Sequence, residues 1–164
     1  MTHLTPSPGL PSRSGVRRSG PEVLAAIGKA ADAAHPCETG GLLLGWWDDG
    51  RVVVRHAIEV PDPKATHTSW VRVESTAQAA LEEALDRHPH PWLGYVGDWH
   101  SHPAACGASS QDITSILRAS DQYEQPLVLL IHRADDLVEA IVTESAQHAL
   151  VHGMLSETLE KESS

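Results

Sequence analysis

The sequence predicts a single layered α/β domain, and three observations carry that reading. Apolar runs of strand length alternate with segments whose apolar residues recur at helical spacing. The 164 residues fall within the range of about 100 to 200 that one domain usually takes. An apolar share of 41% is enough to build a core and too high for a wholly disordered chain.

Residues 1–20 are rich in Pro, Ser and Gly, carry Arg13, Arg17 and Arg18 and contain no acid. They read as a flexible N-terminal tail, with the folded domain spanning 21–164. Pro21 suits the first turn of a helix, and Val23, Leu24, Ile27, Ala30, Ala31 and Ala34 follow at helical spacing until His35-Pro36 ends it. Gly40 to Trp47 reads as a buried strand, and Asp48-Asp49-Gly50 turns the chain into a second strand from Arg51 to Val60. Pro61 opens a loop through about Ser69, followed by a short strand from Trp70 to Val73. Ser75 is the expected N-cap of a helix reaching about Arg87, with Ala77, Ala80, Leu81, Ala84 and Leu85 turned inward. His88-Pro89-His90-Pro91 breaks it. A strand from Leu93 to Trp99 leads into a Gly/Ala/Ser loop and a helix from about Ser109 to Ala119. Leu127 to Ile131 and Leu137 to Val142 are strands joined by a turn at Asp135-Asp136, and the tail from Ser145 is expected to be helical.

Composition removes several function classes. Lys and Arg number 12 against 22 Asp and Glu, a formal charge of −10, the reverse of the balance a nucleic-acid binder shows. No apolar run approaches the roughly 18 residues a membrane span requires, and no signal peptide is evident. Two cysteines, Cys37 and Cys106, do not make a disulfide scaffold, so a cytoplasmic setting is expected. Eleven histidines invite a search for metal-ligand spacing.

That search leads to Asp98-Trp99-His100-Ser101-His102-Pro103 and Ser109-Ser110-Gln111-Asp112. Alternate residues of an extended chain point to one side, so the imidazoles of His100 and His102 can reach one ion. Pro103 keeps His102 extended. Asp112, in the first turn of the next helix, can return a carboxylate to the same point. Two His and one Asp match a catalytic zinc, which takes three protein ligands and leaves the fourth position to a water of pKa about 7. Amide hydrolysis also needs a proton carrier, and Glu38, at a helix–strand junction before Gly40-Gly41, is the candidate general acid/base. Ser109 could donate its hydroxyl to the oxyanion; capping of the helix is its other reading.

Glu38-Thr39-Gly40-Gly41, His100-Ser101-His102-Pro103 and Ser109-x-x-Asp112 together resemble the JAMM signature of the JAB/MPN metallopeptidases, in matching order from about Pro21 to Ser145. The resemblance implies an MPN fold, with a mixed, curved sheet flanked by helices and zinc at one edge. It makes His100, His102 and Asp112 the zinc ligands, Glu38 the acid/base and Ser109 the oxyanion helper. It further implies hydrolysis of peptide or isopeptide bonds after the C-terminal glycine of ubiquitin or a ubiquitin-like protein. Gly94 to Pro103 is most similar to the small bacterial JAB proteins, found beside E1-like and E2-like enzymes in conjugation or anti-phage operons. The expected partners are therefore a ubiquitin-like protein or such an enzyme, with neither nucleic acid nor membrane. The span from Pro103 to Ser109 is a residue or so shorter than the family pattern, and Ala108 stands where bacterial members often have Pro. That leaves the oxyanion role open between Ser109 and Ser110.

Two other functions fit the same fold: release of an amino acid from a sulfur-carrier protein, and a non-catalytic MPN scaffold. The scaffold is disfavoured because the chain keeps both histidines and the aspartate. Among the remaining candidates, His88 and His90 lie between prolines with no carboxylate suitably placed for a metal. Cys106 reads as a small apolar filler, and Trp46, Trp47, Trp70 and Trp99 as core.

Overall fold

The computed structural model describes residues 15–19, 21–123, 125–144 and 149–155. In chain order the elements are β1 (Gly15–Ser19), α1 (Pro21–Ala34), β2 (Gly40–Asp48), β3 (Arg51–Glu59) and α2 (Glu74–Arg87), followed by β4 (Gly94–Ser101), α3 (Ser110–Ser120), β5 (Val128–His132), β6 (Val138–Glu144) and β7 (Ala149–Leu155). The strands form one seven-stranded sheet in the order β1-β3-β2-β4-β5-β6-β7. The β1–β3 and β4–β5 pairs are parallel and the other four antiparallel. The sheet curls enough to bring β1 near β6. This is the mixed, curved sheet with flanking helices that an MPN fold requires.

The strands read as continuous apolar runs because helices cover both faces of the sheet. Leu43, Val54, Val128 and Leu130 face α1 and pack on Val23 and Ile27. Leu42 and Leu44, on the opposite face, meet Ala77, Leu81 and Ala84 of α2. Leu129 and Ile131 meet Ile116 of α3 on that same face. At roughly 1.5–3 kcal/mol for each large side chain fully buried, these clusters are the main reason the layers hold.

One irregularity decides where the site lies. Across β2 and β4, Leu43 is opposite Gly97 but Leu44 is opposite Tyr95, so Val96 is an extra, bulged residue. Val96 and Trp99, three residues apart, therefore both join the α1-side cluster. The bulge reverses the alternation for the rest of β4 and turns Asp98 and His100 toward the α2/α3 side. Gly97 follows it at φ +157°, where a Cβ would fall 1.8 Å from the Val128 carbonyl oxygen of parallel β5. No side chain fits there.

The structure corrects four local expectations. Gly15–Ser19 is a strand on the edge of β3 and not part of a flexible tail; residues 1–14 lie outside the described residues. Ala149–Leu155 is a strand on the edge of β6 where a helix was expected. Trp70 to Val73 belongs to no sheet; β2, β3, β4 and β5 each have two strand neighbours, so no nearby edge is open to it. Finally, α2 begins at Glu74 with Val73 at its N-cap and no side-chain cap, so Ser75 lies inside the first turn. Among the described residues no helix is long and apolar enough to cross a membrane.

Candidate active site

The candidate residues gather where parallel β4 and β5 end and α3 begins. His100 lies within β4, and His102 one residue beyond its end. The His102 amide donates to the His132 carbonyl at 2.7 Å, which carries the pairing one residue further and keeps the chain extended. Both imidazoles then turn to one side, with their Nε2 atoms 3.2 Å apart.

Asp112 is aimed by the start of α3. The Ser109 hydroxyl accepts from the Asp112 amide at 3.1 Å, and Asp112 Oδ2 accepts from the Ser109 amide at 2.8 Å. This is a reciprocal capping box with Asp in the usual place of Glu or Gln. It leaves Asp112 Oδ1 3.2 Å from His100 Nε2 and Oδ2 3.3 Å from His102 Nε2. One ligand atom from each of the three residues lies within 4.8 Å of the others, a group that could hold a metal ion. The donor chemistry fits a borderline cation such as zinc. His102 Nδ1 lies 3.1 Å from the Cys106 carbonyl oxygen, an acceptor only. Nδ1 therefore carries the hydrogen, and the Nε2 lone pair is left for a metal.

Glu38 comes from the far side of β2, 62 residues before His100. Its amide donates to the Thr66 carbonyl at 2.7 Å. The next residue is clamped to β4: the Thr39 amide donates to Ser101 Oγ at 3.0 Å, and the Ser101 amide donates to the Thr39 carbonyl at 2.8 Å. Gly40 permits this approach, since a Cβ there would fall 2.6 Å from the Trp99 carbonyl oxygen. Glu38 is buried and its Oε1 stands 3.7 Å from His102 Nε2.

Burial raises the Glu38 pKa above the ordinary 4.5, partly offset by His100 and His102. Burial also opposes ionisation of Asp112, but hydrogen bonds from His100 and His102 hold its carboxyl well below the usual range. The hydrogen bond to Asp112, against burial, raises His102 to about 9. A metal entering the site competes with that proton.

These groups open onto a cleft of about 550 Å³. One wall is the segment from His67 to Glu74, the other runs from Ser109 along α3, and Asp98, His100 and Leu129 form the floor. Ser109 lines the cleft and Ser110 does not. Cys106 is no apolar filler: it is exposed on the wall, with Sγ 3.7 Å from His102 Nδ1. His88 and His90 stack instead on His56 and Trp46, at centroid distances of 4.0 and 4.7 Å.

Four features escaped the sequence. Trp70 packs on the α2-side core as expected, but it also walls the cleft and stacks on His100 at 6.2 Å and 25°. Ser101 clamps Thr39; its place between two same-side histidines signals that it faces the opposite way. The Cys106 carbonyl orients His102, and the ion pair of Arg72 with Asp98 ties the wall to the floor. The last two had no local signal.

Residues 20–146 match Prok-JAB, the prokaryotic homologs of the JAB domain. The chain belongs to this family. It is also 30% identical over 91 residues to the probable metalloprotease y4qB of Sinorhizobium fredii (strain NBRC 101917 / NGR234), a match covering 51% of each protein. The chain thus spans about half the length of this curated relative. The solution structure of protein DSY2949 from Desulfitobacterium hafniense shares the fold of this Prok-JAB chain, with a TM-score of 0.61 at 14% identity over 85% of this chain and 88% of that one.

Proposed function

We propose that this Prok-JAB chain is a zinc peptidase that cuts after the C-terminal glycine of a ubiquitin-like protein, in peptide or isopeptide linkage. The observation that carries the reading is the convergence of His100, His102 and Asp112 with Glu38 beside them at the end of an open cleft. Zinc held by the first three would supply an acidified water and polarise the scissile carbonyl.

The chain's own groups do the rest. Glu38, its pKa raised by burial, takes a proton from the attacking water and delivers it to the leaving amine as the C–N bond breaks. Ser109 Oγ accepts from the Asp112 amide, which leaves its hydroxyl hydrogen to donate to the developing oxyanion. An extended tail between the His67–Glu74 wall and α3 would present its end to the site. Trp70, crowded between Gly40 and His100, favours a residue there without a side chain.

The test is incubation of the zinc-loaded protein with a ubiquitin-like protein fused through its terminal glycine to a reporter, with the cut site read by mass spectrometry. Cleavage after that glycine, abolished by a chelator and retained by Cys106→Ala, is expected. Cleavage of unrelated unfolded peptides with none at the glycine would replace this reading with that of a general metallopeptidase.

A further inference from the structure

The wall segment that carries Trp70 is a loop with no strand neighbour, and its ties divide into two kinds. Several close it on itself. Asp62 Oδ1 accepts from the Lys64 amide at 2.9 Å and Oδ2 from the Val71 amide at 3.0 Å. The Trp70 indole donates to the Val60 carbonyl at 3.0 Å, and the Thr66 amide to the Ser69 carbonyl at 2.9 Å. These make the loop a preorganised unit; among them only the Trp70 bond reaches the sheet, through Val60, whose amide donates to the Gly40 carbonyl at 2.9 Å.

Beyond that root at Val60, two polar contacts hold it to the strands that carry the site. One is the Glu38 amide on the Thr66 carbonyl. The other is Arg72, whose Nη1 lies 3.0 Å from each oxygen of Asp98 and 2.8 Å from Tyr95 Oη, while Tyr95 donates to Asp98 Oδ1 at 2.9 Å. The other edge of the guanidinium meets Glu74, with Nε at 3.0 Å and Nη2 at 2.9 Å from Oε1. Trp70 lies between the two attachments. Asp98 stands two residues before His100 on the same face of β4, so this contact ties the wall to the strand that forms the floor.

We infer that Arg72 is a positioning residue, a clasp that holds the loop from Val60 to Val73 against β4, keeps Trp70 on His100 and sets the width of the cleft. Arginine suits the task because its planar fork meets Asp98, Tyr95 and Glu74 at once; a lysine ammonium is a point donor on a flexible stem. The pair is mostly screened from water, at 20% and 16% side-chain exposure, so solvent does not take over its hydrogen bonds. Substrate recognition then depends on a wall that is closed before substrate arrives.

The clasp is tested by hydrogen–deuterium exchange, which is independent of activity. In Arg72→Gln, and in Arg72→Lys and Asp98→Asn as milder variants, the Glu38 amide, which donates to the loop's Thr66 carbonyl, should exchange at least about tenfold faster, the scale of one lost charge-assisted contact. Core strands and metal content should stay as in wild type. The activity arm rests on the hydrolytic reading above: KM for the ubiquitin-like fusion should rise about tenfold while kcat changes little, the pattern of lost substrate positioning. Unchanged exchange at the Glu38 amide in all three variants overturns the clasp. So does an equal rise throughout the core, which would make the pair merely structural, or a wild-type KM in variants whose loop has opened. If wild type cleaves no substrate, the hydrolytic reading fails while the exchange result still decides the clasp.

Discussion

Ser101→Ala is the most informative single change near the site, because Ser101 sits between two candidate ligands yet faces away from them. Its hydroxyl accepts from the Thr39 amide at 3.0 Å and approaches the Thr39 carbonyl at 3.4 Å, with both residues buried. Alanine removes the acceptor and leaves the Thr39 amide without a partner in a place water does not reach. An orphaned buried donor is worth about 1–3 kcal/mol, and the long second contact adds little. At about 2–4 °C per kcal/mol for a chain of this size, the melting temperature should fall by roughly 2–12 °C. Because Thr39 follows Glu38 directly, slack at Thr39 also displaces the proposed acid/base. A shift approaching 1 Å costs up to about a hundredfold in turnover, while the candidate metal ligands, on other hydrogen bonds, are untouched. Urea denaturation, elemental analysis and turnover of the same preparation read all three quantities. Stability within about 0.5 kcal/mol of wild type would show that the clamp carries nothing. A clear stability loss with unchanged turnover would show that Thr39 does not position Glu38.

Three further outcomes follow from the same geometry. Changing His100, His102 or Asp112 to Ala should each abolish stoichiometric metal, measured by elemental analysis; metal retained after loss of both histidines would move the site elsewhere. Glu38→Gln should keep fold and metal but lose roughly 10²- to 10⁴-fold in turnover. Near-normal turnover would require another base, and Asp98, committed to Arg72 and Tyr95, is poorly placed to serve. In chelator-treated protein, His102 is raised from 6.5 to about 9, chiefly by its hydrogen bond to Asp112, and so contributes to folding stability. A raised imidazole pKa stabilises the folded state below 6.5, and that contribution is lost as pH rises through about 9. The fall in urea midpoint across that window should therefore be smaller in His102→Gln than in wild type; an equal fall would exclude His102 as a source.

The sequence by itself determined whatever depends on a few consecutive residues. His100 and His102 share a side because any extended chain alternates, and Pro103 keeps it extended. Ser109 and Asp112 cap their helix because a box of four residues needs no distant partner. The apolar runs of β2 and β5 announced strands covered on both faces, and with the Glu38-Thr39-Gly40-Gly41 junction they made the family resemblance legible. Tertiary structure decided what depends on an open edge or a distant neighbour. Gly15–Ser19 and Ala149–Leu155 became strands because β3 and β6 offered free edges, whereas Trp70 to Val73, just as strand-like in sequence, found none. The bulge at Val96, invisible as a pattern, chose which face of the sheet His100 occupies. Glu38 reached His102 only because Ser101, Thr39 and Gly40 bring two strands together across 62 residues, and Arg72 found Asp98 the same way. Alternation and capping are properties of local backbone geometry; edge pairing and ion pairing are properties of what else has already folded.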